Sequence, residues 1–255
     1  MRRVHFDQIE STNDEARRLA AEAPGEPLLV TAAVQSAGRG RQGRTWHSPR
    51  GGAWLSLAWP TGRPAAAYAA ASLAAAAAVY RALCRVAPEV APHLRIKWPN
   101  DLMLHDAKVA GILCEQLPPA GAAAHGWLIV GVGVNVDFDV ALLPDNLRRR
   151  PTTLAAGAGR PVAVEAVIDA LAAELRAALA DFEAQGFSAA LHAELQQRLA
   201  DVGQRQTCTT PRGTITGRVA GLDAAGRLLL ETEEHGLATC DSGELIDAAS
   251  RIDAD

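Results

Sequence analysis

Three arginines, Arg39, Arg41 and Arg44, are interleaved with Gly38, Gly40 and Gly43 in the stretch AGRGRQGRTWHSP (37–49). Glycine lets successive backbone N–H groups come close to a ligand and form an anion-binding concavity. Arginine adds a planar fork that binds carboxylate or phosphate through paired hydrogen bonds. The chemistry on offer is a grip on small anions. A carboxylate and a phosphate held about 4 Å apart repel by roughly 4 kcal/mol at an effective dielectric near 20. Converging cations cancel that repulsion, and Arg39, Arg41 and Lys108 are the candidates. Of the 25 Lys plus Arg residues only two, Lys97 and Lys108, are lysine. In a chain that otherwise uses arginine, a compact and tunable ammonium at these positions points to a specific requirement. A loop of this kind suits activation of a carboxylate by ATP.

Other readings of the loop are weaker. Its glycines spell Gly38-x-Gly40-x-x-Gly43, but a dinucleotide fingerprint must open into a helix. Here Gly43 leads through Pro49, Gly51 and Gly52 into a strand, and no Asp or Glu occurs from Arg44 to Ala87 to hold a ribose. Nucleic acid binding is disfavoured by the net charge of −4, the 4% aromatic content and the lack of a second basic stripe. A plain surface turn would not need three glycines in six residues.

The elements that must position this loop follow from patterning. STNDEARRLAAEA (11–23) reads as a helix start, with Thr12 and Glu15 as a capping box. LLVTAAVQ (28–35) is a buried strand delivering the loop, and AWLSLAWP (53–60) a second strand. Pro64 opens an alanine-rich helix to about Cys84, apolar on all sides and therefore central. LRIKWP (94–99) and KVAGILCEQL (108–117) are strands separated by the turn NDLMLHDA, and WLIVGVGVNV (127–136) is the strongest strand of all. Gly131 and Gly133 in it suggest a face that admits a ligand closely, with Asn135 at its end. Apolar residues from Val164 to Phe182 keep helical spacing, and a further helix follows near 188–200. After Val202, short β-rich runs separated by glycine turns read as an antiparallel barrel of SH3-like size.

The fold class expected is α+β, with a mixed sheet and flanking helices followed by a small all-β barrel, divided as 1–203 and 204–255. Hydrophobic residues make up 49% and charged residues 21%, as in ordinary globular proteins. The four cysteines show no metal-ligand spacing and the histidines no HExxH pattern, so no protein-built metal site is expected. Residues 1–20 do not resemble a signal peptide, and Ala65–Val79 is short for a membrane span. The expectation is a cytoplasmic protein without membrane partners.

Five motifs occur in order: STN (11–13), QSAGRGRQGRTWHSP (35–49), KWPNDL (97–102), KVAGILCE (108–115) and GVGVNV (131–136). Together with the closing GRVAGLDAAGRLLLE (217–231), they make the chain resemble the biotin–protein ligases over almost its whole length. That family's catalytic fold is related to class II aminoacyl-tRNA synthetases, and its C-terminal domain is SH3-like. The resemblance implies two half-reactions. Biotin and ATP, with Mg2+, give biotinyl-5′-AMP and pyrophosphate; a lysine of a biotin carboxyl carrier protein then takes the biotinyl group and releases AMP.

The resemblance also implies roles. Ser11, Thr12, Asn13 and Gln35 match contacts around the biotin ureido ring, although helix capping also explains the first three. Gly38, Arg39, Gly40 and Arg41 match the loop that closes over biotin and the adenylate. Arg44 matches the phosphates and Trp46 the adenine, with core packing as the rival role for Trp46. Lys108 matches the lysine near the biotin carboxylate and the α-phosphate. Gly111, Gly131 and Gly133 fall on the biotin side, and Lys97, Asn100 and Asn135 on the nucleotide side. Asp101 either orients magnesium or receives the proton of the incoming lysine, a turn residue being the alternative. Some relatives also carry an N-terminal DNA-binding domain; only ten residues precede Ser11, so operator binding of that type is not expected. Homodimerisation is left open. A lipoate–protein ligase of the same superfold and a non-catalytic RNA-binding module are the alternatives.

Overall fold

Strand alternation divides the main sheet into two working faces. In β7 (Gly126–Asn135), Leu128, Val130, Val132 and Val134 join the large core, whereas Trp127 and Ile129 join a smaller cluster on the other face. Because side chains alternate with a period of two, Gly131, Gly133 and Asn135 share the face of Trp127 and Ile129. The computed structural model of the chain describes residues 1–247 except 23–24, 120–125, 211–212, 235 and 242.

Seven strands form this sheet. They are β1 (Arg2–Ile9), β2 (Leu28–Gln35), β3 (Gly52–Thr61), β4 (Leu94–Lys97), β5 (Asp101–Leu104), β6 (Ala107–Leu117) and β7. Their order is β1-β2-β3-β7-β6-β5-β4; β1 and β2 are parallel and every other pair is antiparallel. The mixed sheet matches the expected class. Helices α2 (Ala71–Val86) and α4 (Val164–Gln185) cover the large-core face. Alanines 74–78 of α2 are all buried, and their small side chains let the helix lie close against its neighbours. The helical stretch Ala65–Val86 is long and apolar enough to cross a membrane by length and composition, longer than the sequence suggested. Its most apolar part is 67% buried, as befits a core helix. On the opposite face α1 (Thr12–Glu22) packs Ala16, Leu19 and Ala20 against Leu28, Val30 and Ile129. Helix α3 (Leu154–Ala158) and helix α5 (Ala189–Arg198) complete this part.

Two strands escaped the sequence reading. β1 is largely exposed and lies at the sheet edge, and its apolar alternation is reduced to Val4 and Phe6, which pack against the smaller cluster. β5 lies inside the segment expected to be a turn; its Leu102, Met103 and Leu104 are buried between β4 and β6. The helix cap also differs from expectation. Ser11, not Thr12, caps α1: its Oγ accepts from the Asp14 N–H at 3.4 Å, and Glu15 turns to Arg18. The Thr12 and Asn13 side chains are thereby given to other partners.

The second sheet contains β8 (Arg205–Thr210), β9 (Gly213–Leu222), β10 (Leu228–Thr232), β11 (Gly236–Cys240) and β12 (Glu244–Asp247). It is antiparallel throughout, in the order β11-β10-β9-β8-β12. At the β9–β10 turn, Asp223 accepts from the Ala225 and Arg227 N–H groups while Gly226 takes a positive φ of 80°. Residues 248–255, the end of the expected small domain, lie outside the described residues. This sheet packs its apolar face into the large core through Val219, Leu222, Leu228 and Leu230. The Trp98 indole N–H donates to the Gly226 carbonyl at 3.2 Å, tying the sheet to the β4–β5 connection.

Candidate active site

Beside α1, the sheet face bearing Gly131 and Gly133 opens into a cleft of about 220 Å³. Its walls come from the start of α1, the loop after β2, strands β5 to β7, the 143–151 segment and the start of β12. Almost every residue singled out in the sequence lines it. The exceptions are Gly38 and Lys97.

One end of the cleft is a neutral hydrogen-bond network. Gln35 Oε1 accepts from the Thr12 N–H at 2.8 Å and from the Thr12 hydroxyl at 3.0 Å, and its Nε2 donates to Ser48 Oγ at 2.8 Å. Ser56 Oγ lies 2.7 Å from Thr12 Oγ1 and 2.5 Å from Asn13 Oδ1. Ser11, Thr12, Asn13 and Ser56 are all buried. Register explains why Gly131 is needed: it pairs with Ser56, and a Cβ there would lie 2.1 Å from Asn13 Oδ1. Ser56 was missed in the sequence because a lone serine in an apolar strand carries no motif.

Next to it lies a floor made by Gly111 and Gly133, paired across β6 and β7. The Trp46 indole rests on both, for a Cβ at Gly133 would sit 2.4 Å from its Nε1 and one at Gly111 2.9 Å from its Cζ3. Lys108 Nζ stands 5.0 Å from the centre of the same ring, a cation–π arrangement. Trp46 Nε1 is buried and has no acceptor among the described residues. Gly38 serves the loop itself, since a Cβ there would meet the Trp46 carbonyl at 2.4 Å.

The cations do not converge in this structure; each has its own partner. Lys108 Nζ lies 2.7 Å from Asp101 Oδ1. Arg41 donates to Asn100 Oδ1 at 3.1 Å and to the Gly243 carbonyl at 3.2 Å. Burial pushes its guanidinium pKa down, against the raising influence of Asp101. Arg39 reaches Asp14 at 2.6 Å and Glu115 at 3.0 Å. Arg44 lies at the exposed rim and donates to Gln42 at 2.5 Å, while Gly40 holds the loop by donating its N–H to the Arg44 carbonyl. Asn135 binds backbone: its Nδ2 donates to the Thr152 carbonyl at 3.0 Å and approaches that of Lys108.

Lys97 stands apart from the expected nucleotide side. It is buried and paired with Asp201, joining β4 to the segment before β8. A partner 104 residues away leaves no local trace in sequence.

Three further contributors emerge. Glu115 accepts from Asn13 at 2.7 Å, from Arg17 at 2.9 Å and from Arg39, so it ties the neutral network to the arginine loop. Burial raises its carboxyl pKa, but the Asn13 and Arg39 hydrogen bonds and the charges of Arg39 and Arg17 outweigh that and leave it below its ordinary value. Its half-buried neighbour Cys114 has a thiol pushed up to about 12 by desolvation. Arg148 and Arg149 also line the cleft, so the second basic stripe missing from the sequence reading exists as Arg148-Arg149-Arg150. The third contributor is the second sheet itself, whose Gly243 and Leu245 carbonyls accept from Arg41, Arg148 and Arg149. Among the described residues no group of three or more His, Cys, Asp or Glu side chains is placed to hold a metal ion.

Comparison with known proteins places this geometry. Residues 5–135 match the Biotin/lipoate A/B protein ligase family, and residues 203–245 the Biotin protein ligase C terminal domain. The biotin–[acetyl-CoA-carboxylase] ligase of Paracoccus denitrificans is 35% identical over 88% of this chain and 91% of its own length. The bifunctional ligase/repressor BirA of Bacillus subtilis is 32% identical over 91% of this chain and 70% of its own. The structure of biotin protein ligase from Aquifex aeolicus in complex with biotin and ATP superposes with a TM-score of 0.79 at 26% identity, covering 96% of this chain and 97% of that one. With both its catalytic and its C-terminal segments matched, the chain belongs to the biotin protein ligases of the biotin/lipoate A/B protein ligase family.

Proposed function

We propose that the chain activates biotin with ATP to biotinyl-5′-AMP and transfers the biotinyl group to a lysine of a biotin carboxyl carrier protein. The observation that carries this reading is the cleft itself. A fixed, neutral donor–acceptor network stands at one end, and Lys108 and the arginine loop stand at the other over a floor of glycine. The ureido ring of biotin suits the Ser11–Thr12–Asn13–Gln35 end, and its carboxylate then points toward Lys108. Gly111 and Gly133 leave room for the Trp46 indole, and Gly131 for Asn13, so these glycines serve the ligand through the side chains they let lie against the sheet.

In the first step a biotin carboxylate oxygen attacks the α-phosphorus of ATP, and the bond from that phosphorus to the bridging oxygen breaks. Pyrophosphate leaves with the bonding electrons. Lys108 and Arg41 neutralise charge on the two reacting anions, and Arg39 and Arg44 extend that field around the loop. Trp46 and Asn135 border the nucleotide. In the second step the neutral amine of the carrier lysine attacks the acyl carbon, the carbon–oxygen bond to phosphate breaks, and AMP leaves. Asp101 positions Lys108 before the first step. Once Lys108 turns to the phosphate, the carboxylate is available for the proton of the incoming lysine. Magnesium would be held by the phosphates of ATP and would neutralise part of their charge, while Asp101 faces the Lys108 ammonium.

We assign the catalytic domain to 1–203 and the small domain to 204–255, and place the reaction in the cytoplasm, where ATP and the carrier meet. The test is incubation with biotin, Mg-ATP and a carrier domain, followed by intact mass of the carrier. One added biotinyl group is expected. Exchange of labelled pyrophosphate into ATP that depends on lipoate and ignores biotin would overturn the assignment.

A further inference from the structure

Arg149 is mounted beside Lys108 by main-chain hydrogen bonds. The Lys108 N–H donates to the Arg150 carbonyl at 2.8 Å, and the Thr152 N–H donates to the Lys108 carbonyl at 3.0 Å. Asn135 Nδ2 braces the same junction from below, 3.0 Å from the Thr152 carbonyl. The arginine run is therefore held in register with the lysine proposed to meet the α-phosphate.

The partners of Arg149 do not match its charge. Its Nη2 donates to the neutral Leu245 carbonyl at 3.0 Å. Its Nε stands 3.9 Å from Asp101 Oδ2, outside hydrogen-bond distance, and Asp101 is already paired with Lys108 at 2.7 Å. Arg148 donates to the same Leu245 oxygen at 3.1 Å. The Leu245 oxygen is thus shared by Arg149 and its neighbour in the run. Arg149 is mostly buried, with its side chain 19% exposed, so the charge is held in the cleft rather than dissolved in solvent. A carbonyl accepts far less strongly from guanidinium than a polyphosphate does.

We infer that Arg149, with Arg148 beside it, forms the subsite that receives the pyrophosphate leaving group. This rests on the ligase reading and deepens it. When the bond between the α-phosphorus and the bridging oxygen breaks, negative charge grows on the departing pyrophosphate. Lys108 and Arg149 flank Asp101 at 2.7 and 3.9 Å, so Arg149 is a second cation within reach of a polyphosphate whose α-phosphate meets Lys108. A bidentate guanidinium stabilises the developing charge, and the Leu245 carbonyl holds the fork until the nucleotide arrives. The small domain takes part in the chemistry in this way through one backbone oxygen.

The test is biotin-dependent exchange of labelled inorganic pyrophosphate into ATP, measured over a range of pyrophosphate concentrations. Arg149→Gln keeps an N–H donor for the Leu245 carbonyl and removes the charge; Arg149→Lys keeps the charge and loses the fork. Loss of a charge-assisted bond predicts a rise in the pyrophosphate KM of about tenfold or more for Arg149→Gln. Partial recovery is expected in Arg149→Lys, a smaller rise in Arg148→Gln, and no change in the KM for biotin. A pyrophosphate KM within about twofold of wild type in Arg149→Gln overturns the inference. So does an equal rise in the biotin KM without recovery by lysine, which would mark a strut between the domains. If the wild-type chain shows no biotin-dependent exchange, the ligase reading fails on its own. Calorimetric titration with inorganic pyrophosphate, with sulfate as control, still decides the arginine assignment. Binding that Arg149→Gln abolishes supports it, and equal binding by both proteins overturns it.

Discussion

The two ends of the cleft are built on opposite plans. At the α1 end, the uncharged side chains of Thr12, Asn13, Gln35 and Ser56 bond one another at 2.5–3.0 Å, and Asn13 also donates to Glu115. At the loop end, Arg39, Arg41, Arg148 and Arg149 rest on Asp14, Glu115, Asn100 and two main-chain carbonyls. A network of the first kind recognises a fixed shape, because its donors and acceptors are oriented before the ligand arrives. An arrangement of the second kind keeps its charges on replaceable partners until stronger anions arrive. The difference teaches that recognition of biotin and management of charge are separate tasks in this fold, joined where Arg39 meets Asp14 of α1 and Glu115.

The sharpest way to break the comparison is at Lys108. Lys108→Ala is expected to lower biotin-dependent pyrophosphate exchange about 10²–10³-fold, as for loss of one preorganised charge-stabilising group. Circular dichroism and thermal melting should show the fold intact, since Lys108 is partly exposed at the cleft. Near-normal exchange would remove the lysine from the chemistry.

A smaller effect is expected from glycine substitution, and its position matters. Gly131→Ala places a Cβ 2.1 Å from Asn13 Oδ1, and overpacking of this kind costs about 1–3 kcal/mol. Gly40→Ala meets nothing closer than the Arg44 carbonyl at 3.6 Å, and its φ of −110° suits alanine. Melting curves and biotin titration of the two variants should therefore differ, with Gly131→Ala less stable and weaker in binding. Equal behaviour would mean that the α1 end is as adaptable as the loop.

The smallest effect lies at the seam between the two plans, Glu115. Its pKa in the folded chain lies below the ordinary 4.5 because hydrogen bonds and positive neighbours outweigh burial. The stability this provides is fully present above pH 4.5 and is lost as pH falls through the lowered folded value. Glu115→Gln should consequently be less stable than wild type near neutrality, and the gap should close in acid. Urea titrations at several pH values measure it; a gap that stays constant with pH would deny Glu115 its charged role.

Much of this was legible in the sequence, for a physical reason. β2, β3, β6 and β7 announce themselves by apolar runs, and α4 by helical spacing, because each buries a face against the core. The cleft residues were legible because glycine and arginine in alternation have few uses besides approach and charge. What escaped depends on distance along the chain. Lys97 finds its partner in Asp201, and the arginine run matters only because the chain folds residue 150 back onto Lys108. Ser56 and Glu115 are ordinary residues made significant by the neighbours that strand register supplies. β1 is mostly charged and polar with only Val4 and Phe6 turned to the core, and β5 lies between Asn100-Asp101 and His105-Asp106, whose types suggest a turn.

The junction of the cleft with the second sheet has an evolutionary consequence. The small domain contributes the carbonyls of Gly243 and Leu245, whereas the large domain contributes arginine side chains. A carbonyl is present whatever residue carries it, yet both of these residues are fixed by other demands. Gly243 has a φ of 144°, and a Cβ there would lie 2.5 Å from the Thr209 carbonyl, while the Leu245 side chain is buried in the core. Mutational tolerance at this boundary should accordingly be low on both sides, limited by backbone and packing in the small domain and by guanidinium groups in the large one.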